Sequence, residues 1–192
     1  MEYEMEEYPY EYPGFINMTK KQAERYFNWY LSVIDERIAY LQNFIKVDGG
    51  DVLLDFTPES LIPLWKWFGP RIYREEIPQE WYEERIAKQP VWAREFIKKE
   101  DLSRETKKIL DDIATYFGET MRRNHSDKLH WDYVKKPKSD VSFNRPVLIG
   151  FSNSVLDPRL ISQTCCFRYL RTLGKDELYD ACLIWQSKII DD

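Results

Sequence analysis

A long helical pattern that begins at Thr19 dominates the sequence. Thr19 and Gln22 have the spacing of a capping box, in which two side chains and two backbone N–H groups bond reciprocally at the start of a helix. The apolar residues that follow are spaced alternately by four and three positions, and they are Phe27, Leu31, Ile34, Ile38, Leu41 and Ile45. This spacing predicts one helix with a continuous apolar face, which ends before Gly49 and Gly50 because glycine accepts the left-handed conformation of a helix terminus. Such a face must be buried against other elements.

Most of the remaining chain also has helical patterns. Thr57 and Asp157 each precede a proline, which predicts an N-cap followed by the first residue of a helix. Ser103 begins an amphipathic pattern that should end near Asn124. Further helices are predicted over residues 79–88, 91–99 and 176–190, and the helix that follows Asp157 is predicted to end at Gly174.

Two segments have strand patterns instead. Residues 129–134 alternate in period two, as a half-buried strand does, and residues 146–151 form a short apolar run. The two segments are predicted to pair as an antiparallel hairpin. The predicted fold class is therefore mainly α (α+β), a helical single domain over residues 15–192 with a small antiparallel β hairpin near residues 129–151.

The first 14 residues differ from the rest of the chain in charge. The glutamates there are Glu2, Glu4, Glu6, Glu7 and Glu11, and they account for the whole net charge of −5 because acidic and basic residues are equal in number after them. Tyrosine alternates with these glutamates, and Pro9 and Pro13 oppose regular structure. The composition predicts a flexible acidic arm over residues 1–14. The alternative is an arm that packs onto its own domain or onto a basic partner.

The sequence lacks the marks of a membrane, secreted or metal-binding protein. No apolar run approaches the roughly 20 residues that span a bilayer, and the acidic N-terminus is unlike a secretory signal, so a cytoplasmic location is expected. The three cysteines are an odd number and do not fit a disulfide framework, so Cys165 and Cys182 are predicted to be buried as free thiols. Neither a C-x-x-C pair nor a glycine-rich phosphate or dinucleotide loop is present, so no metal and no cofactor is predicted.

The stretch around Gly118 has the strongest signal for a site. A glycine inside a helix costs about 1 kcal/mol relative to alanine, so Gly118 predicts close packing against another element. Glu119 is predicted to be a buried carboxylate whose partner is Arg122 or Arg123. These three charged residues and Trp131 form a possible pocket.

Two alternatives assign other chemistry to this region. In the first, Glu119 is a general base and His125 and His130 form an acid–base pair in an enzyme of phosphoryl or nucleotide chemistry. In the second, residues 122–145, which have a local charge of +4 and contain Trp131, Tyr133 and Phe143, bind nucleic acid weakly. The acidity of the whole chain opposes the second alternative, because it repels a polyanion.

Several segments resemble a group of uncharacterised bacterial proteins over about residues 50 to 190. The similar segments are residues 60–68 (SLIPLWKWF), 113–119 (IATYFGE), Trp131, 135–138 (KKPK), 144–151 (NRPVLIGF) and 157–160 (DPRL). The resemblance indicates membership of this group but does not imply an activity. Proteins of this type look like the small acidic immunity or accessory proteins that accompany bacterial toxins.

The sequence therefore predicts a non-enzymatic protein that acts by binding a protein partner, and the most concrete form is an immunity protein that neutralises a cognate toxin. Acidic residues steer such an association, and tyrosine is a frequent anchor of interfaces. The predicted partner-binding residues lie in the arm, and they are Glu4, Glu6, Glu7, Tyr8 and Tyr10.

Overall fold

The structure is a computed structural model that describes residues 2–5, 7–172 and 177–189. Helices make up most of it, which confirms the predicted mainly α fold. The α-helices are α1 (Lys20–Val47), α2 (Leu61–Phe68), α3 (Gln79–Ala87), α4 (Arg104–Asn124), α5 (Pro158–Thr172) and α6 (Glu177–Gln186). The predicted ends at Gly174 and at residues 176 and 190 lie outside the described residues.

Two small antiparallel sheets accompany the helices. One pairs β1 (Arg74–Glu76) with β2 (Glu100–Leu102), and the other pairs β3 (His130–Tyr133) with β4 (Pro146–Ile149). The second pair confirms the hairpin predicted near residues 129–151. The first pair was not predicted, because strands of three mostly charged residues have no alternation to detect.

Helices α1 and α4 form the centre of the domain. The capping box of α1 is confirmed, since Thr19 N donates to Gln22 Oε1 at 2.9 Å and Gln22 N donates to Thr19 Oγ1 at 3.3 Å. The second half of the predicted apolar face is buried in the core, whereas Leu31 is exposed. Helix α4 is buried on nearly every side from Ile109 to Met121, because α1, α5 and α6 all pack against it.

One predicted helix takes a different form. The helical stretch predicted over residues 91–99 is shorter in the structure, where it is a 3₁₀ helix over Val91–Phe96. Ile97 is already extended, with φ −80° and ψ 117°, because the chain must leave the helix there to enter β2. The predicted helix over residues 79–88 is confirmed as α3.

The described residues of the N-terminal segment contact the domain at several points. The Tyr3 side chain is fully buried, where its ring meets the rings of Tyr40 and Phe44 edge-on at 5.1 and 4.7 Å. Its hydroxyl donates to the buried carboxylate of Asp112. Arg37 Nη2 donates to the carbonyl oxygen of Glu4 at 3.0 Å. These contacts agree with the alternative prediction, in which the arm packs onto its own domain.

The cysteines behave as predicted. Cys165, Cys166 and Cys182 are free and buried, and burial raises the pKa of the Cys165 and Cys182 thiols to about 12. The thiols are therefore protonated and pack as small apolar groups. None of the helices in the described part of the chain is long and apolar enough to cross a membrane.

Candidate functional site

The four residues of the predicted pocket meet at the carboxylate of Glu119. Oε1 accepts hydrogen bonds from Arg122 Nε at 2.8 Å and from Trp131 Nε1 at 2.7 Å. Oε2 accepts from Arg122 Nη2 and from Arg123 Nε, both at 2.8 Å. The Glu119 side chain is only 3% exposed. These contacts tie the C-terminal turn of α4 to β3.

The pairing of Glu119 does not favour the enzyme alternative. Burial raises the pKa of this carboxyl, but the hydrogen bonds from Arg122, Arg123 and Trp131 outweigh burial and lower the pKa to about 2. A general base works best with a pKa near the operating pH and needs a free lone pair directed at the substrate. His125 lies at the C-cap of α4 and His130 is exposed on β3, and the donors to the Glu119 carboxylate are Arg122, Arg123 and Trp131.

Gly118 packs against the ring of Trp131, as its position in the helix predicted. A Cβ atom at this residue would lie 2.5 Å from Trp131 Cη2 and 3.0 Å from Pro158 Cγ. The absence of a side chain lets the indole lie directly on α4 and reach Glu119.

We expect the Gly118→Ala substitution to destabilise the protein, because overpacking of this kind costs about 1–3 kcal/mol and exceeds the gain in helix propensity. The free energy of unfolding from urea denaturation measures the effect. Arg104→Ala, at an exposed position of the same helix, is the matched control and should give no measurable change. An alanine variant at residue 118 as stable as the natural protein would contradict this packing.

The predicted partner-binding residues of the arm divide into two groups. The ring of Tyr8 packs 5.0 Å from the rings of Tyr26 and Trp29, and the guanidinium of Arg25 lies 4.8 Å from the ring of Tyr10. Both tyrosines therefore already contact their own domain. Glu4 and Glu7 are exposed, and Glu6 lies outside the described residues.

The basic segment of residues 122–145 is largely engaged within the protein. Arg122 and Arg123 bind Glu119, and Lys135 Nζ donates to Asp132 Oδ1 at 2.8 Å. The aromatic residues are engaged too, because Trp131 packs on Tyr30 at 5.3 Å and Tyr133 packs on Phe27 at 5.2 Å. Binding to nucleic acid needs cations free to replace counterions and rings free to stack on bases. The geometry does not favour this alternative.

A projection between β1 and β2, formed by residues 77–99 and called the aromatic projection below, exposes large apolar side chains. Its most exposed members are Trp81 at 62%, Val91 at 78%, Trp92 at 75% and Phe96 at 71%. Helix α3 within it has no buried residue. Several large apolar side chains exposed within one short segment are a frequent mark of an interaction site.

The two ends of the aromatic projection are joined at its base. Ile77 is buried there and its N–H donates to the carbonyl oxygen of Lys99 at 3.2 Å. The hydroxyl of Tyr82 donates to Ile97 O at 3.2 Å, and Arg85 forms an ion pair with Asp101 at 2.8 Å. The exposed rings are thus presented on a scaffold held at both ends. Sequence reasoning missed this surface because the apolar residues of α3 form no stripe that would have indicated a face.

A cavity of about 100 Å³, called the aromatic cleft below, lies between the arm, α1, α4 and the start of α5. Its aromatic walls are Phe15, Tyr26, Trp29 and Tyr30. Its charged residues are three carboxylates and three guanidinium groups, namely Asp111, Asp112, Asp157, Arg37, Arg145 and Arg159. A wider groove beneath the arm shares Met5, Tyr26, Trp29, Asp111 and Arg159 with the cleft. Local sequence patterns do not predict this cavity, since its residues come from distant segments.

The carboxylates of the aromatic cleft differ in how far they are satisfied. Asp112 is fully engaged, because Arg37 bonds both of its oxygens and the Tyr3 hydroxyl adds a further bond. Asp157 is 4% exposed, and its Oδ1 accepts from Leu160 N at 3.0 Å and caps α5. Its Oδ2 has no hydrogen-bond partner among the described residues. These carboxylates are thus unevenly neutralised.

The remaining two guanidinium groups lie near the cleft carboxylates without completing hydrogen bonds to them. Arg145 Nη1 lies 3.9 Å from Asp157 Oδ2. Arg159 Nε lies 2.7 Å from Asp111 Oδ1, but this oxygen also lacks an aligned hydrogen bond among the described residues. Burial therefore raises the pKa of Asp111 to about 6 despite the neighbouring arginines.

We expect Asp111→Asn to stabilise the protein at neutral pH. The native state holds the Asp111 proton more tightly than the unfolded chain does, so ionisation costs stability as the pH rises from about 4 to about 6. Two pKa units set a ceiling of about 3 kcal/mol, a value that already includes the attraction of Arg159, and solvent screening of this partly exposed pair reduces the expected gain to about 1 kcal/mol.

Urea denaturation of the Asp111→Asn variant at several pH values measures this gain. The gain should be largest above about pH 6, shrink as the pH falls toward 4, and disappear below about pH 3, where the natural carboxyl is protonated in both states. Asp51→Asn, at an exposed aspartate, is the control. An Asp111→Asn variant that is less stable than the natural protein at pH 8 would show that the ion pair with Arg159 outweighs burial.

Within the described residues, no group of three or more histidine, cysteine, aspartate or glutamate side chains is arranged to hold a metal ion. No family model matches the chain, and comparison with curated proteins and with solved structures finds no significant match. The resemblance to uncharacterised bacterial proteins stays a prediction.

Proposed function

We propose that this protein acts by binding another protein through the aromatic projection. The observation that carries the proposal is the exposure of Trp81, Trp92 and Phe96 on a segment whose helix buries no residue. Tryptophan is enriched among the residues that contribute most to binding at protein interfaces, because a large ring fills a pocket of the partner. The projection exposes two of them, Trp81 and Trp92.

The exposed rings contribute little to the stability of the domain. Side chains that remain more than three-fifths exposed gain little from the hydrophobic effect, which is roughly proportional to the apolar area removed from water. Their replacement by serine should therefore leave the free energy of unfolding nearly unchanged. Binding should be lost, and this separation of effects distinguishes an interface from a loosely packed part of the core.

The arm supplies a secondary contribution in this proposal. Its exposed carboxylates, including Glu4 and Glu7, steer a basic partner toward the domain by long-range attraction. Tyr8 and Tyr10 act less as anchors than the sequence predicted, since their rings are engaged with Tyr26, Trp29 and Arg25.

Site-specific photocrosslinking tests the proposal. A benzophenone amino acid at position 92 is expected to give a discrete crosslinked product in cells, whose partner mass spectrometry identifies. Position 53 is the matched control, because Leu53 is 69% exposed but lies outside the projection. The product should disappear when Trp81 and Phe96 are also replaced by serine. Equal crosslinking from positions 92 and 53, or none from position 92, would count against the proposal.

The most concrete form of this function is neutralisation of a toxin, which is supported by the resemblance to immunity-like proteins and by the acidic arm. Expression of the product of each adjacent gene, alone and together with this protein, tests this form. One such product should be toxic alone and tolerated in the presence of the natural protein, but not of the Trp81→Ser/Trp92→Ser variant. Absence of toxicity from every neighbour would remove the toxin form and leave the general proposal to the crosslinking result.

A further inference from the structure

We propose that the aromatic cleft binds a small organic cation, an ammonium group carried on a short alkyl chain. The cleft lies away from the aromatic projection and shares no residue with it. The inference therefore stands independently of the proposed function. It rests on an unfilled acceptor, on the character of the walls and on the balance of charge.

The unfilled acceptor is Oδ2 of Asp157. A buried carboxylate oxygen without a hydrogen bond is rare in proteins, because the lost hydration is not replaced. The residue is 4% exposed and lines the cleft, and Arg145 Nη1 lies 3.9 Å from Oδ2, beyond hydrogen-bond distance, which leaves this oxygen for a donor held in the cavity. Oδ1 of Asp111 in the same cavity also lacks an aligned hydrogen bond, but its ion pair with Arg159 Nε at 2.7 Å makes it the weaker acceptor. An ammonium group has several N–H donors, one of which would complete the bonding of Asp157 Oδ2.

The walls of the cleft suit the apolar and cationic parts of such a ligand. The Tyr26 ring lies 5.0 Å from the Phe15 ring and 5.3 Å from the Trp29 ring, so the aromatic faces form a continuous surface. Aromatic faces attract cations and also shelter alkyl chains from water. A volume of about 100 Å³ exceeds what one water molecule requires and accommodates only a small ligand.

The charge distribution favours a cation over an anion. Arg37 is bonded to Asp112 and to Glu4 O, so its charge is already used. The side chains of Arg145 and Arg159 are more exposed than that of Asp157, and the guanidinium of Arg145 also lies 5.5 Å from the centre of the Phe15 ring. An anion that entered the cleft would approach three carboxylates, one of them with an unbonded oxygen. A cation completes the bonding of that oxygen instead.

Titration with n-butylammonium, followed by the NMR signal of the Trp29 indole N–H in the full-length protein, tests the proposal. The signal is assigned by its loss in Trp29→Phe. We expect a saturable shift, and we expect butyrate and butanol, which have similar alkyl chains, to bind at least about tenfold more weakly, as loss of a charge-assisted hydrogen bond predicts. Binding of butyrate or butanol as tight as that of the amine, or no saturable shift with the amine, would overturn the proposal.

Isosteric variants locate the binding groups. Asp157→Asn should weaken butylammonium binding by about tenfold or more and still fold, because asparagine caps a helix as well as aspartate does. Asp111→Asn should also weaken it, whereas Asp51→Asn, at an exposed residue, should bind as the natural protein does. Unchanged binding in both cleft variants would overturn the assignment.

Two sources of the ammonium group are distinguished by a second probe. Tighter binding of Nα-acetyl-lysine N-methylamide than of butylammonium assigns the cleft to a lysine side chain of a protein, whereas weaker binding assigns it to a free amine. The Trp81→Ser/Trp92→Ser variant should bind butylammonium normally. The amine titration and the crosslinking experiment can therefore fail independently, so each proposal is tested separately.

Discussion

Replacement of Tyr3 by alanine is expected to lower the free energy of unfolding by about 3–5 kcal/mol, the range for removal of a fully buried aromatic side chain. The ring lies among Tyr40 and Phe44 and has no exposed surface, so alanine would leave a cavity. The hydroxyl adds to the effect because it donates to Asp112, a buried carboxylate that also binds Arg37. Chemical denaturation of the full chain measures the loss.

Two variants separate the causes of this loss. Tyr3→Phe keeps the ring and removes one bond to Asp112, so it should cost only about 1–2 kcal/mol. Tyr10→Ala, in the same arm, should cost less than about 1 kcal/mol because this ring is half-exposed and its main contact is with Arg25. Equal stability of Tyr3→Ala and Tyr10→Ala would show that the arm does not contribute to the core, as the sequence first indicated.

The burial of Tyr3 shows what local patterns do not contain. Helices α1 and α4 follow from the spacing of their own apolar residues and from the caps at Thr19 and Ser103, which are local features. The partners of Tyr3 lie far away in the sequence, in α1 and α4. Alternation of glutamate with tyrosine resembles a solvated terminus when only its neighbours are considered.

The candidate sites divide in the same way. Pairing of Glu119 with Arg122 and Arg123 could be predicted, because residues three and four apart lie together on a helix. The aromatic cleft could not, since Asp111 and Asp157 come from different helices and are brought together only by the packing of α5 on α4. The aromatic projection was missed for a third reason. Its defining property is that its apolar side chains are exposed, and a sequence does not state which apolar residues remain exposed.

Gly118 lies where Trp131 and the start of α5 both pack against α4. It admits the Trp131 ring onto α4, and the indole N–H then completes the bonding of Glu119. Pro158 contacts the same place, so the start of α5, which includes a wall of the aromatic cleft, is set by the same packing. A change at Gly118 should therefore alter butylammonium binding as well as stability.

Glu119→Gln is expected to lower the free energy of unfolding at pH 7 by about 3 kcal/mol, the lower end of the range for breaking a buried ion pair, because the two arginines are partly exposed. The glutamine amide would direct an N–H group at guanidinium or indole donors. Glu84→Gln is the matched control, since Glu84 forms an exposed pair with Lys88 on α3 and should give no measurable change.

The pH dependence of this loss identifies its origin. The pKa of Glu119 is lowered from its usual value near 4.5 to about 2, so the native state holds this proton less tightly than the unfolded chain does. The carboxylate therefore contributes its full stabilisation above about pH 4.5, and the contribution falls as the pH decreases toward 2. The difference between the natural protein and Glu119→Gln, measured by urea denaturation, should shrink over that interval. A difference that stays constant from pH 7 to pH 2 would assign the loss to packing, because packing does not depend on the charge of residue 119.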